Sequence, residues 1–201
     1  MQLTVIPPLQ PALDLALAHS RSGHVVCYPT DTLYGLGADA TDAAAVRRIF
    51  SLKGREEQKP FSVIFPDWEM GRRYVRLDDA LVAKLGELTP GPYTFLLPIA
   101  EPLPVTAGPS LGCRIPDHEF CLAWAKELGR PVVSTSANPG GERPAASVEE
   151  LDESIMRGAD LIVDGGPCRY REGSTIIDVG HRKIVRAGAG LEKARKWLES
   201  L

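Results

Sequence analysis

Apolar and polar positions along the chain switch repeatedly between a helical period and short strand-like runs. Leu9, Leu13, Ala16 and Leu17 recur at helical spacing and stop before Gly23, which predicts a first helix. Val25-Val26-Cys27-Tyr28 then reads as a buried strand. Thr41 is placed to cap a second helix carrying Ala45, Val46, Ile49 and Phe50, and residues 61–65 form the next strand. Asp67 and Asp78 begin two further helices, the second presenting Leu81, Leu85 and Leu88 on one face before the turn Pro90-Gly91-Pro92. Strands follow at 93–97 and 112–115. A helix capped by Asp117 and ended by Gly129 carries Phe120, Trp124 and Leu128, and residues 131–134 are a strand. Ser147 and Glu150 make a capping box for a helix ending near Arg157, and 161–163 is a strand. Residues 174–179 and 183–186 read as a hairpin across Gly180-His181, and a helix over 191–198 closes the chain.

This mixture defines an α/β chain around a mixed sheet of parallel and antiparallel strands. No repeat, low-complexity tract or long linker divides it, so residues 1–201 are expected to form a single domain. The composition, 44% hydrophobic and 24% charged, is that of an ordinary soluble protein. A net charge of -3 gives no global attraction to nucleic acid or membrane, so anion binding must come from a local cluster. Cys27, Cys113, Cys121 and Cys168 form no C-x-x-C pair and read as buried thiols in a reducing cytoplasm. No stretch reaches the apolar length of a membrane span, and the first ten residues lack a signal-like pattern. His19, His24, His118 and His181 are scattered at spacings that suit neither a metal site nor a triad, and read as surface or satisfied polar residues.

Two motifs carry the chemistry. Lys53-Gly54-Arg55 sits on a connection and joins a compact ammonium to a planar guanidinium fork. Ser134-Thr135-Ser136-Ala137-Asn138 follows a strand and offers hydroxyls and an amide that bind oxygens without adding charge. Together they read as two halves of a site for a nucleoside triphosphate. Taken singly, Lys53, Arg55 and Lys59 are a solvated loop, and Thr32, Thr94, Ser136 and Ser174 are residues with local hydrogen bonds. Arg114, between Cys113 and Ile115, is an arginine in an apolar strand and needs either a ligand or a structural carboxylate. Gly35-Leu36-Gly37 through Ala40 matches a dinucleotide fingerprint. However, six residues separate it from the preceding strand, and Glu56-Glu57 lies in a charged loop, which argues against that use. Walker A, H-E-x-x-H and S-x-x-K patterns are absent.

The segment Tyr28-Pro29-Thr30-Asp31-Thr32-Leu33-Tyr34-Gly35-Leu36-Gly37 comes first in an ordered series of motifs. It is followed by Lys53-Gly54-Arg55, 90–94, Arg114-Ile115-Pro116, 134–138 and Ser174-Thr175. In this order the motifs closely resemble the YrdC-like family of threonylcarbamoyl-AMP synthases, in its short single-domain form, from about residue 9 to 188. The resemblance implies a twisted mixed sheet flanked by helices, with a concave basic cleft. It implies a nucleotidyltransferase that joins L-threonine, bicarbonate or CO2, and ATP into threonylcarbamoyl-AMP with release of pyrophosphate, for threonylcarbamoyladenosine in tRNA. Lys53 and Arg55 would be catalytic. ATP would be held by Lys53, Arg55, Lys59, Thr94, Ser136, Asn138 and Arg186, and L-threonine by Thr32, Arg114 and Ser174. Mg²⁺ would arrive on the ATP phosphates with no metal site in the protein, and a downstream tRNA threonylcarbamoyl transferase would take the product. Glu56 stands where the family often has proline, and the 139–144 loop departs from the common form. The competing reading is a relative that binds double-stranded RNA or tRNA without synthase activity, through Arg47, Arg48, Lys53, Arg55, Lys59, Arg72 and Arg73. Retention of Lys53, Arg55, Ser136 and Asn138 favours the enzyme.

Overall fold

The computed structural model describes residues 2–6, 9–54 and 60–201. Its strands are β1 (Gln2–Val5), β2 (Val26–Tyr28), β3 (Gly35–Gly37), β4 (Ser62–Ile64), β5 (Tyr93–Pro98), β6 (Ser110–Arg114), β7 (Val132–Ser136), β8 (Leu161–Asp164), β9 (Thr175–Asp178) and β10 (Lys183–Arg186). They join in one sheet in the order β1-β8-β2-β3-β7-β4-β6-β5-β9-β10. The pairs β1/β8, β2/β8, β4/β6 and β5/β9 are parallel, and the remaining neighbours are antiparallel. The expected mixed sheet flanked by helices is thus observed. The helices are α1 (Leu9–Arg21), α2 (Ala43–Leu52), α3 (Trp68–Gly71), α4 (Asp79–Gly86), α5 (Glu119–Leu128), α6 (Glu153–Gly158) and α7 (Leu191–Glu199).

Period-two alternation sorts the strand side chains into two apolar layers. Val26 and Tyr28 of β2, Ile64 of β4, Val132 of β7 and Leu161 and Val163 of β8 pack under Leu13, Ala16 and Leu17 of α1 and Phe120 and Trp124 of α5. The residues between them, Cys27, Val63, Val133 and Ile162, join the larger layer with Ile49 and Phe50 of α2, Phe95, and Trp197 of α7. The Gly35-Leu36-Gly37 segment is strand β3, which excludes a phosphate-binding turn there. A Cβ on Gly37 would lie 2.7 Å from Tyr28 and 2.9 Å from Trp124, so the glycine leaves room for both aromatic rings against the strand. All four cysteines are buried and free, as expected. No helix among the described residues is long and apolar enough to cross a membrane.

Several local expectations are corrected. Asp42, not Thr41, caps α2, accepting from Ala44 N at 2.8 Å, while the Thr41 hydroxyl donates to Asp39. Asp117 does not cap α5. Its carboxylate is drawn to Arg169 at 2.6 Å, and the helix starts after His118 without a side-chain cap. The capping box at Ser147 and Glu150 does not close, because Glu150 accepts from Ala146 N and pairs with Arg171. A short 3-10 turn forms there, and Asp152 caps α6 afresh. Strand β1 has no counterpart in the sequence reading. It is a four-residue edge strand whose Leu3 and Val5 are exposed, so no burial pattern marks it. His118 is half-buried and not satisfied: its Nδ1 is buried with no partner among the described residues, and burial lowers its pKa.

Candidate active site

The face of the sheet that α1 and α5 cover continues beyond them, and there its chemistry changes. Along β7, Val132 points into the α1/α5 layer, and Ser134 and Ser136 point the same way two and four residues on. Ser134 lies in register with Ser62, Ser62 with Gly112, and Ser136 with Gly35. Residues directly opposite one another share a face, so these four strands lay out a floor of hydroxyls and glycines. A Cβ on Gly112 would sit 2.6 Å from the Ser62 hydroxyl. This open half of the face is the floor of a cleft of about 340 Å³, and none of its lining residues belongs to a helix.

The cleft gathers Thr32, Thr94, Arg114, Ser136, Ser174 and Arg186, six of the residues expected from sequence. Arg114 ends β6. Its Nη2 donates to Asp31 Oδ1 at 2.9 Å and to Thr32 Oγ1 at 3.0 Å, and its Nη1 to Ser134 Oγ at 3.4 Å. Asp31 is the structural carboxylate that the arginine required, and its side chain is wholly buried. Arg114 Nε, also buried, has no partner among the described residues. Across the cleft, the hydroxyls of Thr94 and Ser174 are 2.7 Å apart. Arg186 Nη2 donates to Ser174 O at 2.8 Å and to Ser174 Oγ at 3.1 Å. Among the described residues Arg186 has no carboxylate partner, and burial and the nearby Arg114 charge both lower its pKa. A guanidinium in that position is stabilised by an anion.

Lys53 and Asn138 stand behind the cleft wall. Lys53 is almost fully buried, and its Nζ donates to the carbonyls of Ser136 at 2.6 Å and Asn138 at 2.7 Å. Its own carbonyl accepts from Gly140 N at 2.8 Å. Asn138 Nδ2 donates to the carbonyls of Pro139 and Glu142, and its Oδ1 accepts from the Ser136 hydroxyl. The two halves of the sequence motif therefore meet, through the lysine's grip on the backbone of the second half. Arg55 and Lys59 lie outside the described residues, as does Glu56. The proposed RNA-binding set does not form one free basic face. Lys53 is buried, Arg48 is held by Asp160 at 2.8 Å, and Arg72 is paired with Asp79. Sequence reasoning missed Asp31, Ser62 and Tyr34. Asp31 carried a legible signal, a carboxylate between two threonines directly after an apolar strand.

Among the described residues no group of three His, Cys, Asp or Glu side chains is arranged to hold a metal ion. Among the described residues the cleft lining offers hydroxyls and guanidiniums and no carboxylate, a donor set that does not fit a protein-held Mg²⁺.

Fold and cleft together define an α/β protein whose mixed sheet leaves half of one face uncovered, as a cleft lined by hydroxyls and two guanidiniums. The chain belongs to the Sua5/YciO/YrdC family, whose model, described as telomere recombination, matches residues 19–188. Mouse threonylcarbamoyl-AMP synthase is 38% identical over 202 residues, covering 94% of this chain and 71% of that protein. The synthase of Xanthomonas axonopodis pv. citri is 35% identical over 180 residues, 87% of this chain and 96% of its own length. The crystal structure of Pyrococcus abyssi Sua5 complexed with L-threonine matches with a TM-score of 0.89 at 30% identity, covering 98% of this chain and 60% of that one. Escherichia coli YciO matches with a TM-score of 0.85 at 28% identity, covering 96% and 98%.

Proposed function

We propose that this chain is an enzyme that forms threonylcarbamoyl-AMP and pyrophosphate from L-threonine, bicarbonate or CO2, and ATP, a nucleotidyl transfer. The observation that carries the reading is the pair of guanidiniums in the cleft. Among the described residues Arg114 has an unpartnered Nε and Arg186 has no carboxylate partner, and both line a cleft floored by hydroxyls. Relatives that are 33–38% identical over most of the chain bear the synthase name, and the related Sua5 was crystallised with L-threonine.

In the reaction, a carboxylate oxygen of N-carboxy-threonine forms a bond to the α-phosphorus. The bond from that phosphorus to the bridging oxygen breaks, and its electron pair leaves with pyrophosphate. The nucleophile is already an anion, so no general base is needed. The work is to bring two anions together and hold the charge that moves to the leaving group. Thr32, Arg114 and Ser174 take the amino acid, while Thr94, Ser136, Asn138 and Arg186 take the nucleotide. Lys53 with Arg55 and Lys59 serves the phosphates, and for Lys53 this requires release of the Ser136 and Asn138 carbonyls. Mg²⁺ enters as part of the ATP substrate. The product then passes, in the cytoplasm, to a transferase acting on tRNA.

The test is incubation of the purified protein with ATP, Mg²⁺, L-threonine and bicarbonate, with pyrophosphate release and the mass of threonylcarbamoyl-AMP as readouts. Product that requires every substrate and is lost in Lys53→Ala and Ser136→Ala supports the reading. Absence of product from the wild-type protein refutes it.

A further inference from the structure

We propose that Asp31 is the positioning residue of the amino-acid half of the cleft, holding Arg114 in the orientation that receives the substrate carboxylate. This rests on the function proposed above. The Asp31 side chain is fully buried and divides its two oxygens between separate parts of the fold. Oδ1 accepts from Arg114 Nη2 at 2.9 Å, and Oδ2 accepts from Asp117 N, at the approach to α5, at 3.2 Å. Its carbonyl accepts from Tyr170 N at 3.0 Å. The turn that presents it is fixed by Thr30, whose hydroxyl oxygen accepts from Thr32 N and Leu33 N. Behind it lies a second cavity of about 190 Å³, bordered by Asp31, Asp117, His118 and Arg169. Asp31 thus forms the wall between the cleft and that cavity, anchored on the far side and gripping Arg114 on the near side.

Only a carboxylate meets this geometry. Both of its oxygens accept, whereas an asparagine in the same place would turn its NH2 toward either the Arg114 guanidinium or the Asp117 N–H, donor against donor. With both Nη2 hydrogens held by Asp31 and Thr32, and one Nη1 hydrogen by Ser134, the Nε–H and the second Nη1–H are the donors left for a ligand.

The experiment compares wild type and Asp31→Asn in steady-state formation of threonylcarbamoyl-AMP, with melting curves to establish that the variant folds. The expected result is a KM for L-threonine raised tenfold or more, with the KM for ATP within twofold of wild type. A threonine KM within twofold overturns the assignment, and so does a parallel rise in both KM values, which marks a merely structural residue. A second arm needs no variant of Asp31: the NMR signal of Arg114 Nε–H in the wild-type protein, assigned by its loss in Arg114→Lys. It is expected to be protected from exchange and to shift with L-threonine but not with ATP. A signal that exchanges like that of an exposed arginine, or ignores L-threonine, overturns the proposal even if Asp31→Asn fails to fold. A wild-type protein without synthase activity refutes the proposed function, and the same Arg114 signal, compared between wild type and Asp31→Asn, then still decides the role of Asp31: an L-threonine response that survives the substitution overturns it.

Discussion

Replacing Gly37 by alanine tests why glycines stand in β3. The added Cβ would fall 2.7 Å from Tyr28 Cε1 and 2.9 Å from Trp124 Cη2, about 0.7 Å and 0.5 Å inside the 3.4 Å at which ordinary contacts begin. Neither ring can slide away. Tyr28 and Trp124 are both fully buried, and each is pinned at its polar end, Tyr28 OH to Val133 O at 3.0 Å and Trp124 Nε1 to Ser20 Oγ at 3.0 Å. Overpacking of this kind costs about 1–3 kcal/mol, and two pinned rings place it near the upper end. The lower entropy of alanine in the unfolded chain returns about 0.5–1 kcal/mol. The net loss is about 2 kcal/mol, or a Tm lower by about 4–8 °C for a chain of this size. Thermal melts followed by circular dichroism read it directly, with the KM for ATP measured alongside. Gly86, at the end of α4 with nothing within 4 Å of its Cβ position, is the control, and Gly86→Ala should hold or slightly raise Tm. A Gly37→Ala protein that melts like wild type refutes the packing argument. If its ATP affinity falls while Tm stays, the glycine serves a phosphate after all.

Arg186→Ala removes a charged donor from the cleft, worth about 1.5–3 kcal/mol toward an anion, so the Kd for ATP should rise about tenfold to a hundredfold; an unchanged Kd removes Arg186 from the nucleotide half. Burial lowers the His118 pKa, so the unfolded chain binds a proton that the folded protein resists, and stability should fall as pH drops below about 6.5. His118→Asn should therefore show a shallower loss in urea-melt free energy between about pH 7.5 and pH 5, and equal slopes would contradict the linkage. Burial raises the pKa of Cys27, Cys113 and Cys121 well above the usual thiol value and pushes Cys168 up to about 11. Ellman's reagent should accordingly label none of them in the folded protein near neutral pH and all four after unfolding; one fast-reacting native thiol would show an opening that these side chains do not display.

Local rules served where the deciding partner is near in sequence. Asp67 and Asp78 cap α3 and α4 as read, because a cap needs only the next turn's N–H groups. Gly129 ends α5 with φ of 69°, a conformation that glycine adopts without strain. The rules failed where a distant group outbid the local one. Asp117 was taken by Arg169, and Glu150 by Arg171, both supplied by the loop that follows β8. The same limit explains the reading of Lys53. A lysine beside glycine and arginine looks like a solvated phosphate ligand, and only the folded chain brings the Ser136 and Asn138 carbonyls, 83 and 85 residues away, against its amine.

By itself, then, the sequence determined the alternation of strands and helices, the order of the six motifs and the family they belong to, since each is written in spacing along the chain. Tertiary structure alone decided that Ser62, Gly112, Ser134 and Ser136 form one floor, that Asp31 holds Arg114, and that Arg186 faces the cleft without a counter-charge among the described residues. Those facts depend on strand order and register, which set residues far apart in sequence a few ångströms apart across a sheet. Nothing in local propensity encodes which neighbours a strand will choose.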